Sequence, residues 1–186
     1  TLATGLLIGS REGVENYIYM TGIVGREMYD LDASTLATSE LVIGPLDPGQ
    51  WGGNGWVSQY QNLRNARILL DAVDQVEGLT EAEKEGIRGY AKTIQAYDLL
   101  TVINTRDVNG AVIEISEDPT AEPGPIVSRE QVLNRIGQWL DDANTHLSNA
   151  GSSFSFNLSS GFANFNTPQT FLTFNRGLKA RVSIYQ

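Results

Sequence analysis

This sequence carries a single histidine, His146, and no cysteine, so thiolate chemistry, disulfides and cysteine-ligated metal sites are excluded. His146 falls near the end of a helical stretch, where a polar or positive side chain suits the C-terminal end of the helix dipole. Asp141 and Asp142 are neighbours on that stretch and so point apart, as solvated helix residues do. Asp30-Leu31-Asp32-Ala33-Ser34 begins like a calcium loop, but Thr35 stands where glycine is needed and Leu41 where the bidentate glutamate belongs. A glycosidase would need two carboxylates flanking a scissile bond, and no pair here recommends itself. Neither a Gly-x-Ser-x-Gly motif nor a phosphate loop is present. The residues thus imply a binder, not an enzyme, with no cofactor and no metal. Trp51 and Asn54 are the candidate ligand contacts, in the loop Gly44 to Gly55, where an exposed indole can stack on a sugar face or a peptide side chain.

Such contacts need a scaffold, and the hydrophobic periodicity predicts an all-α one. A first helix is expected over about residues 2 to 20, weakened by Gly9 and Gly13. From Trp56 to Val76, Trp56, Tyr60, Leu63, Ala66, Leu70 and Val73 recur at helical spacing, and Gly78 ends the run. Thr80-Glu81-Ala82-Glu83 is a capping box opening a third helix that buries Ile87, Tyr90, Ala91, Ile94, Tyr97 and Leu100. The short connection makes the second and third helices antiparallel neighbours. Ser128-Arg129-Glu130-Gln131 opens a fourth helix burying Val132, Ile136, Leu140, Ala143 and Leu147. Thr167-Pro168 starts a fifth, with proline where its missing N–H costs nothing. That helix runs to Gln186 without a stop signal, so the 186 residues read as a single helical domain, the first part of a longer protein.

The connections are long and carry aromatics. Ala111 to Ile115 predicts a short strand, and Phe154, Phe156 and Leu158 alternate with polar residues as in an extended segment. Function on a helical scaffold with such loops is expected on the loops. A hydrophobic share of 41% supports a real core, and a net charge of −9 with only 13 Lys and Arg argues against nucleic acid as a partner. No apolar run reaches the roughly 18 to 20 residues that span a bilayer.

Three segments carry a family resemblance: Tyr60-Gln61-Asn62-Leu63-Arg64-Asn65-Ala66-Arg67, Ala91-Lys92-Thr93-Ile94-Gln95-Ala96-Tyr97-Asp98-Leu99-Leu100, and Leu178-Lys179-Ala180-Arg181-Val182-Ser183-Ile184-Tyr185. In this order they resemble the signature helices of the SusD/RagB family over nearly the whole chain. The chain departs from that pattern with Arg67 where the family usually has Asn, with Gln95 where it has Arg, and with Thr105 to Gly110 in place of Gly-Asp-Val-Pro. The resemblance implies an all-α fold of tetratricopeptide-like helix pairs with long irregular loops. It implies a non-enzymatic, cell-surface protein of the outer membrane, held by a lipid anchor outside this chain. Such a protein captures an oligosaccharide or peptide for a TonB-dependent, SusC-like transporter. The alternative is a tetratricopeptide-like module binding another protein in its groove, against which stands the lack of any fixed 34-residue period.

Overall fold

A computed structural model describes residues 2–31, 38–47, 49–50, 56–116, 118 and 120–186. The chain is all-α. Its helices are α1 (Leu2–Gly9), α2 (Val14–Val24), α3 (Val57–Ala72), α4 (Glu81–Arg106), α5 (Arg129–Asn149) and α6 (Pro168–Tyr185). A π-helical turn spans Thr38–Ile43, and the two short strands are β1 (Ala111–Val112) and β2 (Ile126–Val127). The predicted first helix is two helices. Gly13 takes φ 78°, a left-handed conformation that glycine adopts without Cβ strain, and the chain turns there between α1 and α2.

Local chemistry sets the other starts. Thr80 accepts from the Glu83 amide while the Glu83 carboxylate accepts from the Thr80 amide, and Ser128 with Gln131 repeats the arrangement. Thr167 caps α6 with Thr170 as its reciprocal partner, and Pro168 occupies the first turn. Each cap satisfies amides that would otherwise have no intrahelical acceptor.

The central element is α4, which packs on α3, α5 and α6. Polar contacts show that α5 runs antiparallel to it: the Glu85 carboxylate lies 2.8 Å from His146 Nδ1, and Lys92 pairs with Asp142 at 2.9 Å. Close approach requires Gly89, since a Cβ there would lie 2.6 Å from Leu147 Cγ. Leu63, Leu99, Val132, Ile136, Leu140 and Val182 form one buried cluster among α3, α4, α5 and α6. A second centres on Tyr90 and Phe171, whose rings lie 5.5 Å apart. Phe154 and Phe156 pack against Tyr90 from the 150–166 connection, which forms no strand; it is held by aromatic contacts instead.

The polar residues of α5 keep the places expected of them, His146 in the last turn and Asp141 and Asp142 exposed and pointing apart, and gain partners. Asp141 pairs with Arg176 at 2.9 Å and Lys179 at 2.7 Å on α6, whereas Asp142 pairs with Lys92 on α4. Adjacent residues on a helix diverge by about 100°, so the pair reaches both neighbours. His146 acts through Glu85, whose carboxylate also meets Arg88, and Arg88 continues to Asp74.

Candidate functional site

Trp51 and Asn54, the contacts expected from sequence, lie outside the described residues, as does Asp32 of the calcium-like run. Among the described residues, no group of three or more His, Cys, Asp or Glu side chains is placed to hold a metal ion. The described part of the chain instead contains a cleft of about 570 Å³ between the helices and the segment that follows α4.

Helical spacing assembles its floor. On α4, Lys92 and Gln95 are three residues apart; on α5, Arg135, Trp139 and Asp142 are spaced by four and three, so each set shares a face. The register fixed by Glu85–His146 and Lys92–Asp142 brings Gln95 level with Trp139 across the α4–α5 seam. Arg67 of α3 completes the wall and pairs with Asp71 at 2.7 Å.

The roof is formed by described residues between β1 and β2, here termed the strap, with Glu114, Ile115, Ser116, Glu122 and Gly124 on the cleft. Ala111 pairs with Val127 and Val112 with Ile126, after which the two arms leave the ladder. The strand predicted from Ala111 to Ile115 is therefore two residues long. Gly110 permits the hairpin to close, at φ 67° and with Val127 O only 1.9 Å from where a Cβ would sit. Gly124 lies against Glu114, whose Cβ would be 3.0 Å from an added Cβ.

The strap is tied to α3 by polar contacts. Tyr60 Oη accepts from the Val112 amide at 2.9 Å and donates to the Val112 carbonyl at 3.0 Å. Arg64 Nε donates to the Ser116 carbonyl at 3.2 Å. Burial raises the Tyr60 phenol above its ordinary range, against the lowering effect of the Val112 hydrogen bond, so it remains a proton donor at neutral pH. Trp56 meets Tyr60 edge-on at 5.6 Å, and the Arg106 guanidinium lies 5.3 Å from the Trp56 ring centre. Sequence periodicity assigned Trp56, Tyr60 and Tyr97 to the core, but all three are only half-buried. Trp56 and Tyr60 line a recess of about 220 Å³ that shares Glu114, Ile115, Ser116 and Glu122 with the main cleft.

Tyr60→Phe removes both contacts to Val112 and is expected to destabilise the protein by about 1–2 kcal/mol, the usual cost of stranding half-buried backbone groups. Urea unfolding checks the stability. Hydrogen exchange checks the location, with the Val112 amide expected to exchange faster than in the wild type.

Gln95 has unspent hydrogen-bonding capacity. It is 4% exposed, yet its side-chain amide makes no hydrogen bond among the described residues. Its amide atoms are not sealed from solvent, so water in the cleft is the exchangeable partner that a ligand would displace. Arg135 is similar: its guanidinium lies 5.8 Å from the Trp139 ring centre and has no carboxylate or carbonyl partner among the described residues. Lys92, by contrast, is neutralised by Asp142. A cleft-facing amide, a free guanidinium and a half-buried indole thus face one polar cleft, an arrangement suited to holding a hydroxylated or charged ligand. Sequence reasoning placed Gln95 and Trp139 on their helices without identifying a site, because local signals do not show that the connection between α4 and α5 folds back over both helices. No family model matches this chain, and neither a curated protein nor a solved structure matches it.

Proposed function

We propose that this protein captures nutrients at the cell surface, holding an oligosaccharide or peptide in the cleft beneath the strap and delivering it to a TonB-dependent outer-membrane transporter. The observation that carries the reading is Gln95, whose amide makes no hydrogen bond among the described residues and opens onto a cleft of about 570 Å³ beside Trp139. A ligand hydroxyl or carbonyl supplies the hydrogen bonds this amide lacks, and the indole supplies an apolar face for a ring. The resemblance of the α3, α4 and α6 segments to SusD/RagB helices supports the transporter partner and a lipid anchor in the outer membrane.

Titration calorimetry on a panel of oligosaccharides and short peptides tests the reading, with Trp139→Ala as the control at the site. Binding by the wild type and a loss of at least tenfold in the variant is expected. Failure of every oligosaccharide and peptide to bind the wild type would overturn capture as its function. Binding that Trp139→Ala leaves unchanged would move capture away from this cleft.

A further inference from the structure

We propose that the cleft selects a ligand bearing a carboxylate, specifically an acidic oligosaccharide containing uronate units, with Arg135 as the residue that reads the acid. The proposal rests on the capture reading above and adds the chemistry of the ligand. Its basis is an imbalance among the cations of the cleft. Lys92 meets Asp142 at 2.9 Å and Arg67 meets Asp71 at 2.7 Å, whereas the Arg135 guanidinium has only the Trp139 ring beside it among the described residues.

A guanidinium fits a carboxylate with two parallel N–H···O bonds, and the cation–π contact with Trp139 holds this one at the cleft. Gln95, one helix across, adds amide donors that no protein group among the described residues occupies. The protein's net charge of −9 does not forbid this, because charges beyond the Debye length of about 8 Å at physiological salt are largely screened.

The strap selects a sugar acid over an acidic peptide. Glu114 and Glu122 reach the cleft from the roof and form no ion pair among the described residues, leaving acceptors for several ligand hydroxyls. Asp142, already bonded to Lys92, adds a third carboxylate on the floor. A uronate places hydroxyls and a carboxylate on one ring, so its hydroxyls meet the glutamates while its acid meets Arg135. Insertion the other way round would set the ligand carboxylate against Glu114 and Glu122, which fixes the orientation by repulsion.

The test is calorimetry with trigalacturonic acid, its carboxyl-reduced neutral counterpart, and a tripeptide with a free C-terminal carboxylate, run on the wild type and on Arg135→Gln. The acid trisaccharide is expected to bind the wild type at least tenfold more tightly than either other ligand. Arg135→Gln is expected to lower acid affinity at least tenfold more than neutral affinity, with circular dichroism confirming that the variant is folded. The comparison of acid and reduced sugar needs no variant and stands even if Arg135→Gln fails to fold. Equal binding of acid and reduced sugar overturns carboxylate selection and leaves capture intact. Preference for the tripeptide overturns the sugar assignment. Absence of binding by all three, together with failure of the wider panel, removes the capture reading itself.

Discussion

Asp98→Asn is expected to stabilise the protein at pH 8 by as much as about 5 kcal/mol and to flatten its stability between pH 4 and 8. Asp98 is 1% exposed on α4, and its one hydrogen-bond partner among the described residues is Asn62, whose Nδ2 donates at 2.7 Å. Burial pushes the carboxyl up to about 8, with the Asn62 hydrogen bond opposing the rise. An unfolded aspartate titrates near 4, so between these values the native state holds a proton that the unfolded state has released. The proton count then favours the native state less as pH rises, at up to about 1.4 kcal/mol per pH unit. The contribution is full below pH 4, declines across the window, and is lost once pH passes the native value of about 8.

A neutral amide of the same shape removes that dependence. It also keeps an oxygen that can accept from Asn62 Nδ2. Asp141 contributes with the opposite sign. Although burial opposes it, hydrogen bonds from Lys179 and Arg176 hold its carboxyl below the usual range, so that its share is present above the ordinary carboxylate value and lost as pH falls. Subtracting the variant's profile from the wild type cancels this shared term. Urea unfolding of both proteins from pH 4 to 9 is the measurement, and parallel profiles would show that Asp98 titrates as an ordinary carboxylate.

Phe171→Ala is expected to cost about 3–5 kcal/mol, the loss seen when a large aromatic side chain is removed from a core that cannot collapse. Phe171 is fully buried on α6 and touches four aromatic rings, with centroid distances of 5.5 Å to Tyr90, 5.7 Å to Phe154, 5.8 Å to Phe162 and 5.3 Å to Phe174. These rings come from α4, α6 and the 150–166 connection, so the substitution loosens that connection as well as α6. Thermal unfolding reads the stability, and near-ultraviolet circular dichroism reads the aromatic packing. A change in melting no larger than that of a surface substitution would overturn the assignment of this cluster as a core.

The helices were legible because their signals are local. Thr80 and Ser128 each announce a start by a side chain three residues from its partner, and the apolar stripe through Ile87, Tyr90, Ala91 and Ile94 repeats within single turns. The split between α1 and α2 was half legible: Gly9 and Gly13 weakened the first helix, but periodicity could not say that the chain would turn at the second. Phe154 and Phe156 alternate as strand residues do, yet alternation supplies no hydrogen-bonding partner, and packing on Tyr90 decided their conformation.

What the sequence by itself determined is the all-α class, the position of α3 to α6 and most of the buried face of each, since capping and periodicity act over three to seven residues. The tertiary structure alone decided the cleft. Its walls come from Arg67 on α3, Gln95 on α4, Trp139 on α5 and the strap at Glu114 to Gly124, parts of the chain up to 72 residues apart. The placing of Gln95 on the cleft, and the burial of Asp98 beside Asn62, are likewise properties of α4 at the centre of the fold. A polar residue on a helix costs little to place from local rules, and only the packing of neighbouring helices turns it into a binding group or a titrating one.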